Sequence, residues 1–266
     1  MKQRLGKLER QLFAYAHLRG LATLRTGDLV GPLRISAKQE RELLSRLARA
    51  EMIAKVRRGL YLVPPRLPLG GIWSPDEILA LNTWMEDRAG RYQICGPNAF
   101  HRYGFDDQVL ARVYAYNNRV SEERQIGSVA LTLIRVADAR LGGTETFVSP
   151  AGNQAVYSSR ARTLVDSVHD WSRFDSLPRA FDWIRGDLAA GLVAAPELVD
   201  MTLRYGNKGT TRRIGALLEL EGVAEVLLAR MENKLAQSTS LIPWIPAYAK
   251  RGRTSRRWGV VLNERG

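Results

Sequence analysis

The stretch Ser36-Ala37-Lys38-Gln39-Glu40-Arg41-Glu42-Leu43-Leu44-Ser45-Arg46-Leu47-Ala48-Arg49-Ala50, followed at once by Glu51-Met52-Ile53-Ala54-Lys55-Val56-Arg57-Arg58-Gly59-Leu60-Tyr61-Leu62-Val63, decides how this 266-residue chain is read. Its first four residues match a capping box, in which the Ser36 side chain accepts the Gln39 amide while the Gln39 side chain reaches back to the Ser36 amide. A helix is therefore expected to begin at Ser36 or Ala37 and to run to Ala50. At about 100° per residue, Leu43, Leu44, Leu47 and Ala48 gather on one face, and Lys38, Gln39, Glu42, Ser45, Arg46 and Arg49 on the other. The β-rich runs 52–56 and 60–63 then read as a hairpin turning at Arg57-Arg58-Gly59, with Gly59 supplying the turn's backbone angles.

A free face of Lys, Gln, Ser and Arg suits the DNA major groove, where Arg and Lys bond guanine acceptors and Gln bonds adenine. Taken alone, it also fits an ordinary solvated helix face. The hairpin that follows adds Arg57 and Arg58 at a tip, placed for phosphates or an adjacent minor groove, and Pro64-Pro65 closes the unit. Upstream, Leu5, Leu8, Leu12, Phe13 and Ala16 have helical spacing over residues 7–17. A second, short helix is expected over 24–30, with Thr26 as its N-cap and Gly31-Pro32 ending or bending it. Helix, helix, capped basic helix and Arg-tipped hairpin together form a winged helix-turn-helix pattern.

Charge is distributed to match. The chain carries a formal net charge of +13, with +10 on residues 1–66, −2 on 67–235 and +5 on 236–266. Basic ends around a nearly neutral middle point to a polyanionic partner, because Lys and Arg release counterions when they meet phosphate. No long apolar stretch accompanies the charge, so a membrane partner is not expected. The expected division is a DNA-binding domain over 1–66, an α+β domain over 67–235 and a basic tail over 236–266.

Residues 66–74, with Pro68, Gly70 and Gly71, read as a linker, and Ser74-Pro75-Asp76-Glu77 as a helix start with Ser74 the N-cap and Pro75 the first helical residue. Strands are expected at 92–95, 113–116 and 129–136, with edges at 147–148 and 155–157 and a turn or two of helix over 98–103. Helices are expected over 161–168, 177–188, 196–205, 210–220 and 223–235. The fold class is thus α+β: a winged helix-turn-helix domain, then a larger domain with a small mixed sheet and a helical cluster.

Catalytic motifs are missing from the sequence. It has no phosphate-binding Gly-rich loop ending in Lys-Ser/Thr, no Gly-x-Ser-x-Gly and no His-Glu-x-x-His. Asp106-Asp107 after Tyr-Gly-Phe reads as a turn rather than a metal-binding pair. His17, His101, His169 and the single Cys95 have no metal-ligand spacing. No catalytic, cofactor-binding or metal residue is expected, and no enzyme activity. The lone cysteine and the absence of an apolar N-terminal signal point to a reducing, cytoplasmic setting. The tail interleaves Trp244 and Trp258 with Lys250, Arg251, Arg253, Arg256 and Arg257. It reads either as a second phosphate-contacting strip, through Arg251 and Arg253 with the tryptophans packed on the body, or as a partly ordered basic tail.

Arg57-Arg58-Gly59-Leu60-Tyr61 after the helix-turn-helix, the run YQICGPNAFHRYG at 92–104, RARTLVD at 160–166 and RRIGALLE at 212–219 occur in an order that resembles the AbiEi antitoxin family. These are transcriptional regulators of bacterial type IV toxin–antitoxin and phage-defence operons. The resemblance reaches to about Leu235 and leaves the tail unmatched. It implies a winged helix that binds inverted repeats in its own promoter as double-stranded DNA, through Lys38, Gln39, Ser45, Arg46, Arg49, Arg57 and Arg58. It also implies a larger domain needed to neutralise a cognate nucleotidyltransferase-like toxin without a stable complex. A winged helix reads few base pairs, so a monomer off DNA that binds cooperatively on repeated half-sites is expected. The rival readings are a DNA-processing enzyme delivered by a winged helix and a protein-binding adaptor.

Overall fold

Three helices and three short strands account for the first part of the chain. In this computed structural model, which describes residues 5–67, 72–108, 110–235 and 240–263, helix α1 (Lys7–Leu18) buries Leu12, Phe13 and Ala16. Strand β1 (Thr23–Arg25) follows, then α2 (Val30–Leu33) and α3 (Ala37–Arg49). Strands β2 (Ala54–Arg57) and β3 (Leu60–Leu62) form the hairpin. β3 is central in an antiparallel sheet of order β1-β3-β2, with Leu24 opposite Tyr61 and Lys55 opposite Tyr61.

The helix expected over 24–30 is not formed there. Leu24 is fully buried in a strand, and the helix starts later, because the buried Glu40 carboxylate accepts the Gly27 amide at 2.7 Å and the Leu29 amide at 2.8 Å. Gly31-Pro32 lies inside α2 rather than ending it, in a first turn where amides have no intrahelical acceptor and a proline loses nothing.

Helix α4 (Glu77–Glu86) is capped by Asp76, whose side chain accepts the Leu79 amide at 3.0 Å; Ser74 is not the cap and Pro75 precedes the helix. Asp76 also accepts from the Asn153 side-chain amide at 2.9 Å, which fixes it in the capping pose. Then come β4 (Tyr92–Ile94), α5 (Pro97–Arg102), β5 (Val113–Asn117), β6 (Glu122–Ile126) and β7 (Val129–Arg135). A 3-10 turn (Asp138–Arg140), β8 (Thr144–Val148) and β9 (Gln154–Ser158) complete the middle. β6 was not foreseen: Glu-Glu-Arg-Gln-Ile lacks apolar alternation and is a strand because the Gly127-Ser128 turn folds it back on β7.

The helical part holds α6 (Arg160–His169), the short α7 (Trp171–Phe174), α8 (Arg179–Ala189), α9 (Ala195–Tyr205), α10 (Lys208–Leu220) and α11 (Glu225–Glu232). It ends in three short strands, β10 (Ile242–Pro243), β11 (Arg253–Ser255) and β12 (Val260–Leu262), in the order β10-β12-β11.

The chain forms two compact units, each assembled from separate stretches. The first takes Met1–Tyr92, Ala111–Val136 and Phe147–Ala155; the second takes Gln93–Leu110, Ala137–Thr146 and Val156–Gly266. Residues 68–71 and 236–239, beside the expected boundaries at 66 and 235, lie outside the described residues, as do Pro68, Gly70 and Gly71 of the expected linker. In the first unit, β7 pairs antiparallel with β6 and parallel with β5. A core of α1, α3 and the hairpin brings Leu12, Phe13, Leu24, Leu43, Leu44, Leu47, Ile53 and Val63 together. Burying such side chains stabilises by roughly 1.5–3 kcal/mol each before entropy is counted.

In the second unit, α6, α8, α9, α10 and the C-terminal strands share one core that includes Leu164, Phe181, Leu198, Ile214, Trp244 and Trp258. Arg162 and Asp166 are both fully buried on α6 and pair at 2.9 Å. Arg162 also donates to the Gly142 carbonyl at 2.9 Å and the Arg140 carbonyl at 3.0 Å. On α10, Arg212 donates to the carbonyls of Trp258, Ser240 and Gly259, and Arg213 to those of Pro243 and Trp244. Gly215 lets the Trp258 ring lie directly on α10, where any Cβ would collide with it. These contacts settle the tail over 240–263, which is folded and packed, with both tryptophans buried.

Candidate nucleic-acid interface

Helix α3 is held by its N-terminal cap and by its apolar face. The capping box closes as expected, the Gln39 amide donating to Ser36 Oγ at 3.2 Å and the Ser36 amide to Gln39 Oε1 at 2.8 Å. Leu43, Leu44 and Leu47 are buried against the core, and Glu40, on the same side, pins the turn before α2. That acid was not singled out in the sequence. Its place one turn after Ser36, beside the apolar positions, was the available signal.

On the outer side Lys38, Gln39, Glu42, Ser45, Arg46 and Arg49 are all exposed. Gln39 uses its carbonyl oxygen on the cap, so a bidentate contact to adenine would require opening the cap. Arg46 pairs with Glu9 of α1 at 3.0 Å while staying 56% exposed. Arg49 donates to the Ser45 carbonyl of its own helix at 3.4 Å. Arg41 was missed. It is exposed, three residues after Lys38 and four before Ser45, so Lys38, Arg41, Ser45 and Arg49 form one stripe. The same angular count that found its neighbours would have found it.

The two hairpin arginines have different surroundings. Arg58, at the turn beside Gly59 with its φ of 80°, is exposed. Arg57 lies at the end of β2 and is bound at both ends of its fork by Asp87, just past α4, with Nε and Nη2 each 2.6 Å from a carboxylate oxygen. Asp87 is also approached by Arg25 at 3.4 Å and Arg88 at 3.7 Å. The Arg57 hydrogen bonds, opposed by burial, hold the Asp87 carboxyl below its ordinary range and raise the guanidinium's value. The hairpin tip is tied down by the Thr26 amide, which donates to the Gly59 carbonyl at 3.1 Å. Of the two arginines expected to meet phosphate, then, Arg58 faces solvent and Arg57 is occupied.

Arg251 and Arg253 belong to the second unit. Both are exposed, Arg253 opening the edge strand β11 and Arg251 just before it. Arg257 is turned toward acids instead, with Glu225 at 2.6 Å, Glu232 at 2.9 Å and Glu219 at 3.6 Å. Asp106 caps the Gln108 amide at 3.2 Å and pairs with Arg179 at 2.9 Å, a structural use of the acidic pair considered from sequence. Among the described residues no group of three or more His, Cys, Asp and Glu could hold a metal ion. No helix among them is long and apolar enough to cross a membrane.

No protein-family model matches the chain, and no curated protein matches it. Among solved structures, the fold is similar to that of the RV2827C protein from Mycobacterium tuberculosis, with a TM-score of 0.62 over 97% of this chain and 92% of that one, at 14% sequence identity. At that identity the likeness concerns the fold, which is α+β with several sheets and a helical cluster.

Proposed function

We propose that the protein is a cytoplasmic DNA-binding autorepressor and the antitoxin of a type IV toxin–antitoxin operon. In this reading residues 5–63 are a winged helix-turn-helix, with α2 and α3 as the helix pair, α3 in the major groove and β2-β3 as the wing. The observation that carries it is the exposed stripe Lys38, Arg41, Ser45 and Arg49 on a helix whose other face is locked into a core, with Arg58 exposed on the hairpin that follows. Groove-facing Arg and Lys read base edges, while hairpin and backbone contacts set register without reading sequence. Arg253 on the edge strand β11, with Arg251 just before it, offers a second phosphate-contacting strip. The antitoxin role and the nucleotidyltransferase-like toxin rest on the resemblance of the motifs at 57–61, 92–104, 160–166 and 212–219 to the AbiEi family. No enzymatic activity and no cofactor enter this reading.

A gel-shift titration on the DNA upstream of the protein's own gene, against a scrambled fragment at two salt concentrations, tests it. Cooperative, preferential binding that persists at the higher salt supports an autorepressor on inverted repeats. Equal, salt-labile binding to both fragments would remove sequence readout and with it the proposal.

A further inference from the structure

We propose that Asp87 is a positioning residue that holds Arg57 off the DNA backbone, so that of the two arginines at the hairpin turn only Arg58 engages phosphate. The assignment rests on the DNA-binding reading above. A guanidinium fork binds carboxylate and phosphate with the same two parallel N–H···O bonds. Asp87 fills that fork on Arg57 at 2.6 Å on each arm, and the remaining Nη1 donates to the Arg58 carbonyl at 2.7 Å. The carboxylate is well placed for the task, because its side chain is only 8% exposed and it follows directly on the last turn of α4.

The rest of the neighbourhood fixes that pose from several sides. Arg25, on β1 of the same three-stranded sheet, adds a second cation to Asp87 at 3.4 Å. Arg124 on β6 donates to the Val56 carbonyl at 2.5 Å, which holds the residue before Arg57 in place. Trp84 of α4 lies under both Arg88, 3.3 Å from its ring centre, and Arg124, 4.3 Å from it, so the helix end that carries Asp87 is clamped as well. Of the two arginines at the hairpin turn, Arg57, its side chain 37% exposed, is paired with a buried carboxylate, and Arg58 is exposed and presented. Each phosphate contact steepens the salt dependence of binding by about 0.9 in the slope of log K against log salt, whatever the sequence. Withholding Arg57 therefore lowers affinity for DNA of every sequence and leaves discrimination to α3.

The test is the salt slope, measured on the upstream fragment and on scrambled DNA, for the full-length wild type, Asp87→Asn, Arg57→Gln and the double variant. Asp87→Asn is expected to bind both fragments more tightly, with the slope steeper by about 0.9 and the preference between fragments unchanged. Arg57→Gln alone should leave the slope at the wild-type value, and the double variant should return to it. A merely structural ion pair would weaken binding or stability in Asp87→Asn without steepening the slope. An unchanged slope in Asp87→Asn, or a shallower one in Arg57→Gln, overturns the assignment, and the second outcome is readable even if Asp87→Asn fails to fold. Wild-type protein that shows no salt-dependent binding would instead overturn the DNA-binding reading on which the assignment depends.

Discussion

Arginine does opposite work in two regions of this chain. On α3 it sits on the outside of a helix, where Arg41, Arg46 and Arg49 are exposed. On α6 and α10 it is inside: Arg162 is fully buried, and Arg212 and Arg213 are 9% and 8% exposed. The inner arginines serve backbone carbonyls. Arg212 and Arg213 have no carboxylate partner among the described contacts and together bind the segment that carries Trp244 and Trp258. Burial pushes the Arg213 guanidinium down to about 10, the charge of Arg212 adding to the effect. A count of basic residues cannot tell these uses apart. The partner of a cation, protein or solvent, decides whether it is available to a polyanion.

The largest effect expected is on the buried side. Arg162→Ala would remove the ion pair to Asp166 and the donors to the Gly142 and Arg140 carbonyls together. Breaking one side of a buried pair costs about 3–5 kcal/mol. Denaturant unfolding is expected to show a loss of that size, although Asp166 keeps Arg140 at 3.2 Å as a second partner. A loss below about 1 kcal/mol, the level of an exposed pair, would mean that the buried arginines are no more structural than those on α3, and the comparison would fail.

On the exposed side the effect moves from folding to binding. Arg49→Ala should leave the unfolding midpoint nearly unchanged and cost about 1–3 kcal/mol on the operator if the side chain meets guanine, relaxing preference at that base. Equal losses on operator and scrambled DNA would reassign Arg49 to phosphate. Arg58→Ala is expected to weaken all sequences alike and to make the salt slope shallower by about 0.9, without altering base preference.

How much of this was legible beforehand follows from the range of the forces involved. The capping box at Ser36 and Gln39, the two faces of α3 and the Arg58-Gly59 turn depend on neighbours within four residues, and spacing alone revealed them. β1 depends on a partner 35 to 39 positions away, as in Leu24 opposite Tyr61, while β6 and the C-terminal strands pair with partners 3 to 18 positions away, as in Glu122 opposite Leu133, and none of these sequences carries much periodicity of its own. The occupancy of Arg57 was hidden for the same reason, since Asp87 is 30 residues distant. Arg212-Arg213 read as part of a motif, but nothing local says that both side chains point inward to carbonyls around Trp244 and Trp258.

The smallest effect sharpens the buried side through pH. His169, at the end of α6, lies near Thr210 with Nδ1 3.4 Å from its hydroxyl. Burial, and then the nearby Arg140, hold the imidazole below its ordinary value of 6.5, against the opposing pull of Asp170 and Asp166. As pH falls through about 6.5 the unfolded chain takes up a proton at this position while the folded protein stays neutral. The unfolded state then binds more protons, so stability falls with pH in this window and levels off once the folded imidazole also titrates. Carboxylates such as Asp87, whose folded value is depressed, contribute only near and below about pH 4, and Glu77, whose value burial raises, is common to both proteins and cancels in the comparison. Unfolding free energies measured at about pH 7.5 and 5.5 should differ more for the wild type than for His169→Gln. The same pH dependence in both proteins would show that neither burial nor the nearby Arg140 disfavours the charged imidazole at His169.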